Sequence, residues 1–351
     1  MASNYLILCF LSISLSPNIM ALRLPPISAL YVFGDSLVDS GNNNYLPTKA
    51  RANFPPFGID FGGNATGRFT NGKTVVDFIA EYLDLPFSPP YMGLTDDKRS
   101  ITITGINYAS GACGIFNETS KNESCLAFYD QVELFQKTVD YDLRKKYNQT
   151  ELNYHLSQSL FFVSMGANDY TQNLKKAIRN PDAFAWNLLQ EFSTHLQKLY
   201  QLGARMFLVN NIPPTGCLPT FAYRTRPQGY CNKTINRLIA SYNRKLPVIL
   251  LNLQFHLPNS TFLHSNYFKF FLQLRRSARN YGIRDIWRPC CPNRTQGDFQ
   301  CGPYSVPCRN RDTHFFFDIH PSQIVNSIYA RRCFNEIAIC QPLRRRLGVY
   351  A

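Results

Sequence analysis

Five short apolar runs, each separated from the next by a longer helical pattern, restrict this chain more than any other feature. The runs are Ala29–Phe33, Ile103–Tyr108, Leu160–Ser164, Met206–Asn210 and Thr261–His264. The helical patterns lie over Lys73–Leu83, Leu126–Tyr147, Pro181–Leu202, Asn232–His256, Tyr267–Tyr281 and Pro321–Phe334, and Pro181 and Pro321 sit well as first-turn prolines. β-rich runs alternating with helices build βα units and a parallel sheet. The expectation is an α/β fold of three layers, α/β/α, around a sheet of about five strands.

A chain of 351 residues that is 45% hydrophobic and 14% aromatic has material for a large core and does not read as disordered. It carries no low-complexity linker and no internal repeat, so one domain is expected over residues 22–351. The first 21 residues read as a secretory signal. An apolar stretch from Tyr5 to Leu15, uncharged up to Arg23, is too short to span a bilayer, and Ala21 offers a small residue for cleavage. Cys9 would leave with that signal, so ten of the eleven cysteines would remain, an even number as a disulfide framework requires. Cys290, Cys291, Cys301 and Cys308 with His314 could also be read as zinc ligands, but adjacent cysteines do not match zinc spacing and export favours bridges. No metal and no cofactor is expected.

Asn-x-Ser/Thr sequons stand at Asn64, Asn117, Asn122, Asn148, Asn232, Asn259 and Asn293, so surface glycans are expected in a secreted chain. Lys and Arg exceed Asp and Glu by 37 − 23, giving a formal charge of +14. Outside the cell, and without a recognised nucleic-acid module, this basic excess does not point to nucleic acid. It suits anionic wall polymers or a lipid surface, or simply a soluble basic surface. The sequence sets no oligomeric state.

In open parallel sheets, ligands bind outside the carboxyl ends of the strands. The first four of those ends read "VFGDS", "NYASG", "VSMGAND" and "VNNIPP", which places Ser36, Gly111 and Asn168 on one rim. Taken alone, a serine at such a junction is more often a helix cap than a nucleophile. To attack a carbonyl, its hydroxyl needs a base within hydrogen-bond reach. "HFFFDIHPS" supplies the candidate: His320, with Asp318 two residues before it, on the same side of an extended chain. The backbone N–H groups of Ser36 and Gly111, with the amide of Asn168, would form a pocket for the developing oxyanion.

Six ordered blocks also resemble the plant secreted branch of the GDSL esterase/lipase family, within the SGNH hydrolases. "YVFGDSLVDSGNNNYL" is similar to the nucleophile block, and "RANFPPFGIDF" with "TGRFTNGKTVVDFIAEYL" to the stretch after it. "GINYASGACGI" resembles the glycine block, "FFVSMGANDY" the asparagine block, "NNIPPTGCLP" the fourth strand end and "FFFDIHPSQIVN" the acid–histidine block. The resemblance implies a flavodoxin-like fold and metal-free hydrolysis of lipid, polymer or small-molecule carboxylic esters in the cell wall or apoplast. Ser36 would be nucleophile, Gly111 and Asn168 oxyanion donors, His320 the base and Asp318 its partner. It also implies bridges Cys113–Cys125 and Cys217–Cys231, with Cys333–Cys340 as a third. The pairing among Cys290, Cys291, Cys301 and Cys308 stays open.

This chain departs from the family in having only Ile319, where two residues normally separate acid and histidine, and in having Pro292 after the Cys-Cys doublet. The shortened spacing motivates an alternative, a GDSL-fold binding or structural protein of the wall with weakened catalysis. "GRFTNGKT", residues 67–74, matches the phosphate-loop pattern, but "FGGNAT" before it cannot be the required strand. A GxSxG nucleophile elbow is absent.

Overall fold

In a computed structural model describing residues 27–121, 123–293, 299–336 and 339–340, four of the five apolar runs form one parallel sheet. Its strands are β1 (Leu30–Gly34), β2 (Leu160–Ser164), β3 (Met206–Asn210) and β4 (Thr261–Ser265), in that spatial order. Alternate side chains enter two separate apolar layers. Tyr31, Phe33, Phe161, Val163, Phe207 and Val209 face one; Leu30, Val32, Leu160, Phe162 and Leu208 face the other. Because both faces are buried, the runs carry no alternating polar positions. Helices Phe128–Lys137, Pro181–Gln201 and Lys233–His256 cover the first face, and Val75–Tyr82, Tyr267–Arg276 and Gln323–Asn335 the second. The expected signal segment and Asn122 lie outside the described residues.

The fifth run takes the edge position beside β1 without becoming a regular strand. Leu30 donates to the Thr104 carbonyl (3.0 Å), Val32 to Ile106 (3.1 Å), and Tyr108 and Ser110 donate back to Val32 and Gly34 (2.8 and 3.0 Å). Gly105 breaks the ladder at φ +108°, pressed so close that a Cβ there would lie 2.1 Å from the Leu30 oxygen. With this segment counted, the strand order reverses between β1 and β2, which places the crevice of a doubly wound sheet there. The helical pattern over Leu126–Tyr147 is also divided: after Lys137 it widens into a π turn at Thr138–Asp142 and a 3₁₀ turn at Leu143–Lys145. The Thr138 hydroxyl sits inside that turn, accepting from buried Tyr108 (2.8 Å).

A second, two-stranded sheet pairs β5 (Asp285–Pro289) with β6 (His314–Phe316). Five disulfides hold the chain: Cys113–Cys125, Cys217–Cys231, Cys333–Cys340, Cys290–Cys308 and Cys291–Cys301. The adjacent cysteines thus staple two different points of one loop. The sulfurs of Cys290 and Cys308 approach His314, but both are spent on their own bond. Among the sequons, Asn64, Asn117, Asn148 and Asn259 are exposed, while Asn232 and Asn293 are partly covered. Among the described residues no helix is long and apolar enough to cross a membrane.

The turn following β1 buries charge. Asp35 is 2% exposed, and burial pushes its carboxyl up to about 7, against the lowering effect of the Leu37 N–H and His320. Asp39 and Asp169 are pushed up to about 6 by the same cause. A folded-state pKa raised above the unfolded value of about 4 means that folding takes up a proton, so this stability is complete below that value and lost as pH rises through the folded pKa. Buried His155 and His264, both lowered to about 4 by burial, act in the opposite sense, but only below the ordinary histidine pKa of about 6.5. The melting temperature should therefore fall between pH 6.5 and 8, and Asp35→Asn should flatten that fall. Equal slopes for variant and parent would show that Asp35 is ionised throughout.

Candidate active site

Ser36 sits where β1 stops and the chain doubles back. Gly34 is held on both sides: its N–H donates to the Gln131 side chain, whose amide donates back to the Gly34 carbonyl, each at 2.9 Å. A Cβ on Gly34 would lie 2.5 Å from the Ser164 oxygen, so only glycine lets β1 and β2 end side by side. The Asp35 carboxylate accepts the Leu37 N–H at 3.0 Å, and its carbonyl accepts from Val38 and Asp39, both at 3.1 Å. Ser36 occupies the apex of this turn, at the reversal of strand order. Gln131 was not among the residues singled out from sequence, because nothing near position 131 signals contact with position 34.

His320 reaches this hydroxyl from the far end of the chain. Its Nε2 lies 2.8 Å from Ser36 Oγ, and its Nδ1 lies 2.8 Å from Asp318 Oδ1. In the tautomer whose Nδ1–H donates to the Asp318 oxygen, Nε2 is left to accept from the serine. The two residues do not meet across an extended dipeptide, as their spacing suggests. Residues 317–320 form a tight reversal in which Phe317 N–H donates to the His320 carbonyl (2.9 Å), and Asp318 Oδ1 also accepts the His320 backbone N–H (2.9 Å). One carboxylate oxygen thus fixes both the backbone and the ring of His320. With a single intervening residue, the turn closes on the side chain of Asp318 itself.

Two neighbours brace this reversal. Cys290 and Cys291 donate to the carbonyls of Phe316 and Phe317 (3.0 and 2.6 Å), tying it to the doubly bridged loop. The phosphate-loop lookalike, residues 67–74, packs against it from the other side. The Phe69 ring lies 5.2 Å from the imidazole, the Thr70 hydroxyl donates to the Pro321 carbonyl (3.0 Å), and Asn71 accepts the Gln323 N–H (2.8 Å). Arg68 forms a buried two-pronged pair with Asp77 at 2.8 Å. Thr70, Asn71 and the Lys73 backbone are spent on docking Pro321 and the start of the helix Gln323–Asn335.

The expected oxyanion donors require one correction. The N–H of Gly111 does not face the cleft; it donates to Asp39 Oδ2 (3.0 Å) and Asn43 Oδ1 (3.1 Å). The next residue, Ala112, lines the cleft beside Ser36, Asn168 and His320, in the left-handed region at φ +66°. Neither its N–H nor that of Ser36 donates to any acceptor among the described residues. Asn168, in the short helix Ala167–Gln172, places its amide nitrogen 2.9 Å from the Cys113 carbonyl, leaving its second hydrogen uncommitted. The free donors at the cleft are therefore Ser36, Ala112 and Asn168. A one-residue shift within a glycine-rich turn leaves no trace in composition, which is why the sequence pointed to Gly111.

These groups open into a cleft of about 470 Å³ with Phe54, Phe57, Phe69 and Ile319 on its walls. A larger hollow of about 660 Å³ lies at the opposite end of the sheet, around Leu152, Arg205 and Asn259, remote from Ser36.

Residues 30–332 match the family described as GDSL-like Lipase/Acylhydrolase. Among curated proteins, the chain is 40% identical over 319 residues to GDSL esterase/lipase At2g04020 of Arabidopsis thaliana, covering 89% of this chain and 86% of that one. It is 39% identical to GDSL esterase/lipase At5g08460 (90% and 86% covered) and 37% identical to GDSL esterase/lipase 7 (90% and 89% covered), both from the same plant. With family match, parallel α/β sheet and strand-end cleft agreeing, the chain belongs to the GDSL lipase/acylhydrolase family and is a carboxylic ester hydrolase.

Proposed function

We propose that the protein hydrolyses esters through Ser36, His320 and Asp318, as a single catalytic domain exported from the cell. The observation that carries this is the unbroken line Ser36 Oγ–His320 Nε2, His320 Nδ1–Asp318 Oδ1, with both links at 2.8 Å. Ser36 Oγ attacks the ester carbonyl carbon while its proton passes to His320 Nε2. The tetrahedral oxyanion is met by the N–H groups of Ser36 and Ala112 and by the Asn168 amide. As the C–O bond to the alcohol breaks, His320 returns the proton to the leaving oxygen. Water then attacks the acyl carbon while its proton passes to His320; as the bond from that carbon to Ser36 Oγ breaks, His320 returns the proton to Oγ and the acid leaves.

Five disulfides support export, and the apolar side chains of the cleft suit lipid or polymer esters. The single-residue spacing is a working geometry in this reading, so the alternative of a catalytically degraded binding protein loses its motive.

Ser36→Ala and His320→Ala should each remove nearly all hydrolysis of 4-nitrophenyl esters in a normally folded protein. Asp318→Ala should cost less, because its work is orientation and tautomer selection. A Ser36→Ala variant retaining a tenth of parental activity would sink the assignment. Inserting one residue after Ile319 should lower activity, since it opens the turn that Asp318 Oδ1 closes; a large gain would mean the native pair is crippled.

Asn168→Ala should reduce kcat by about a hundredfold or more with KM little changed, as removal of one preorganised donor does. A raised KM with kcat preserved would reassign Asn168 to substrate binding. The disulfides should separate by position. Cys291→Ser with Cys301→Ser loosens the loop bracing the acid–histidine reversal and should lower kcat/KM about tenfold or more, since small misplacements of reacting groups are costly. Cys333→Ser with Cys340→Ser should lower the melting temperature while largely preserving kcat/KM; equal activity losses in the two double variants would refute the bracing role.

A further inference from the structure

We propose that the ester accepted by this cleft carries an anionic group, a carboxylate or phosphate, on a part of the molecule that does not react. This deepens the esterase reading and rests on it. The charged groups lining the cleft are Lys49, Arg51, Glu123 and the catalytic pair Asp318 and His320. Asp318 and His320 are paired with each other. Among the described residues Arg51 and Lys49 have no carboxylate within ion-pair distance, and Glu123 has no cation within it. Two cations and one carboxylate therefore line the cleft together with the apolar side chains Phe54, Phe57, Phe69 and Ile319.

Arg51 is the more telling of the two. It is partly buried, its Nη2 donates to the Leu46 carbonyl at 2.5 Å, and its Nε is buried without any acceptor. A guanidinium has five donors in a fixed fork that matches a carboxylate or phosphate, and a buried unpaired donor on a cation is costly. Among the described residues none supplies an acceptor for Nε, and Arg51 lines the cleft. The loop that presents it is held in place. Thr48 Oγ accepts the Ala50 N–H (3.1 Å), and Asn43, which accepts from Gly111, also donates to the Ala50 carbonyl (2.7 Å). The side chain that fixes the glycine turn of the oxyanion pocket thus also fixes the backbone next to Arg51. Lys49, exposed at the rim, adds a second positive charge. The apolar remainder of the substrate would lie on Phe54, Phe57 and Phe69, whose rings pack edge to face with centroids 5.4 and 6.2 Å apart.

Two matched pairs of esters test this and separate the possible sources of the anion. The first is 4-nitrophenyl hydrogen suberate against its neutral methyl ester, read by nitrophenolate release. The second is a lysophosphatidic acid against the monoacylglycerol of the same chain, read by free fatty acid. For the full-length secreted protein, kcat/KM should favour the anionic member of at least one pair by about tenfold at low salt, the size expected of one charge-assisted hydrogen bond. The preferred pair tells whether a soluble carboxylate or a lipid phosphate is read. The preference should shrink as sodium chloride screens Lys49, and Arg51→Gln should bring the ratio close to one through KM more than kcat. Lys49→Gln, at an exposed position that the fold does not use, should lower the ratio partially and guards against misfolding of the Arg51 variant. Hydrolysis of neutral esters with no anion preference in either pair, or a preference untouched by both substitutions, overturns this inference alone. No hydrolysis of any of the four overturns it together with the esterase reading.

Discussion

The parallel pairing of β1 with β2, in register down to Gly34 against Ser164, sets the level at which both strands stop and so the level of everything beyond them. Ser36 leaves from one strand end and Asn168 from the other, and the edge segment 104–110 brings Gly111 and Ala112 to the same rim. Gly34 has to be glycine for this contact to close, and Gln131 and Ser110 bind its two backbone groups so that the end of β1 cannot shift. A small displacement here would move the nucleophile relative to every donor around it. Reaction rates are sensitive to that kind of error even where stability is not.

His320 arrives from the opposite end of the sequence, 284 residues away, and no secondary structure holds it. Its position depends on a reversal gripped from both sides. One grip is the loop stapled by Cys290–Cys308 and Cys291–Cys301; the other is the 67–74 segment, with its buried Arg68–Asp77 pair. Cys290, Cys291, Cys301, Phe57, Phe69 and Phe317 also share a small apolar cluster that lies apart from the two sheet faces. The disulfides near the site therefore act on geometry as well as on the unfolded chain. Buried acids at the rim add a further constraint. Asp39 accepts the Gly111 N–H and Asp169 accepts those of Ile115 and Phe116, while Asp35 accepts the Leu37 N–H one residue past Ser36.

The single residue between Asp318 and His320 shows how local chemistry replaces a missing length of chain. Here Asp318 Oδ1 accepts the histidine's own backbone N–H and also lies 2.8 Å from its Nδ1, so the shortened turn is closed by the same carboxylate that meets the ring. Spacing alone suggested that the two side chains could meet, yet it suggested the wrong backbone, because an extended pair and an Asp-closed turn both place i and i+2 together.

The sequence by itself determined the layered sheet, the four regular strands, the candidate residues Ser36, His320 and Asp318 and the even count of cysteines. All of these follow from neighbours along the chain: apolar runs of strand length, helical periods between them, and short blocks whose chemistry is local. Tertiary structure alone decided which N–H of the glycine turn is free, since Gly111 is engaged by Asp39 and Asn43, some seventy positions away in the chain. It also decided the pairing of Cys290, Cys291, Cys301 and Cys308, the irregular edge at Gly105, the use of residues 67–74 as a buttress and the unpaired Arg51 in the cleft. Each of these is fixed by a partner distant in sequence or by a close approach of backbones. Composition and periodicity hold no record of such contacts, and only the folded chain brings the two sides together.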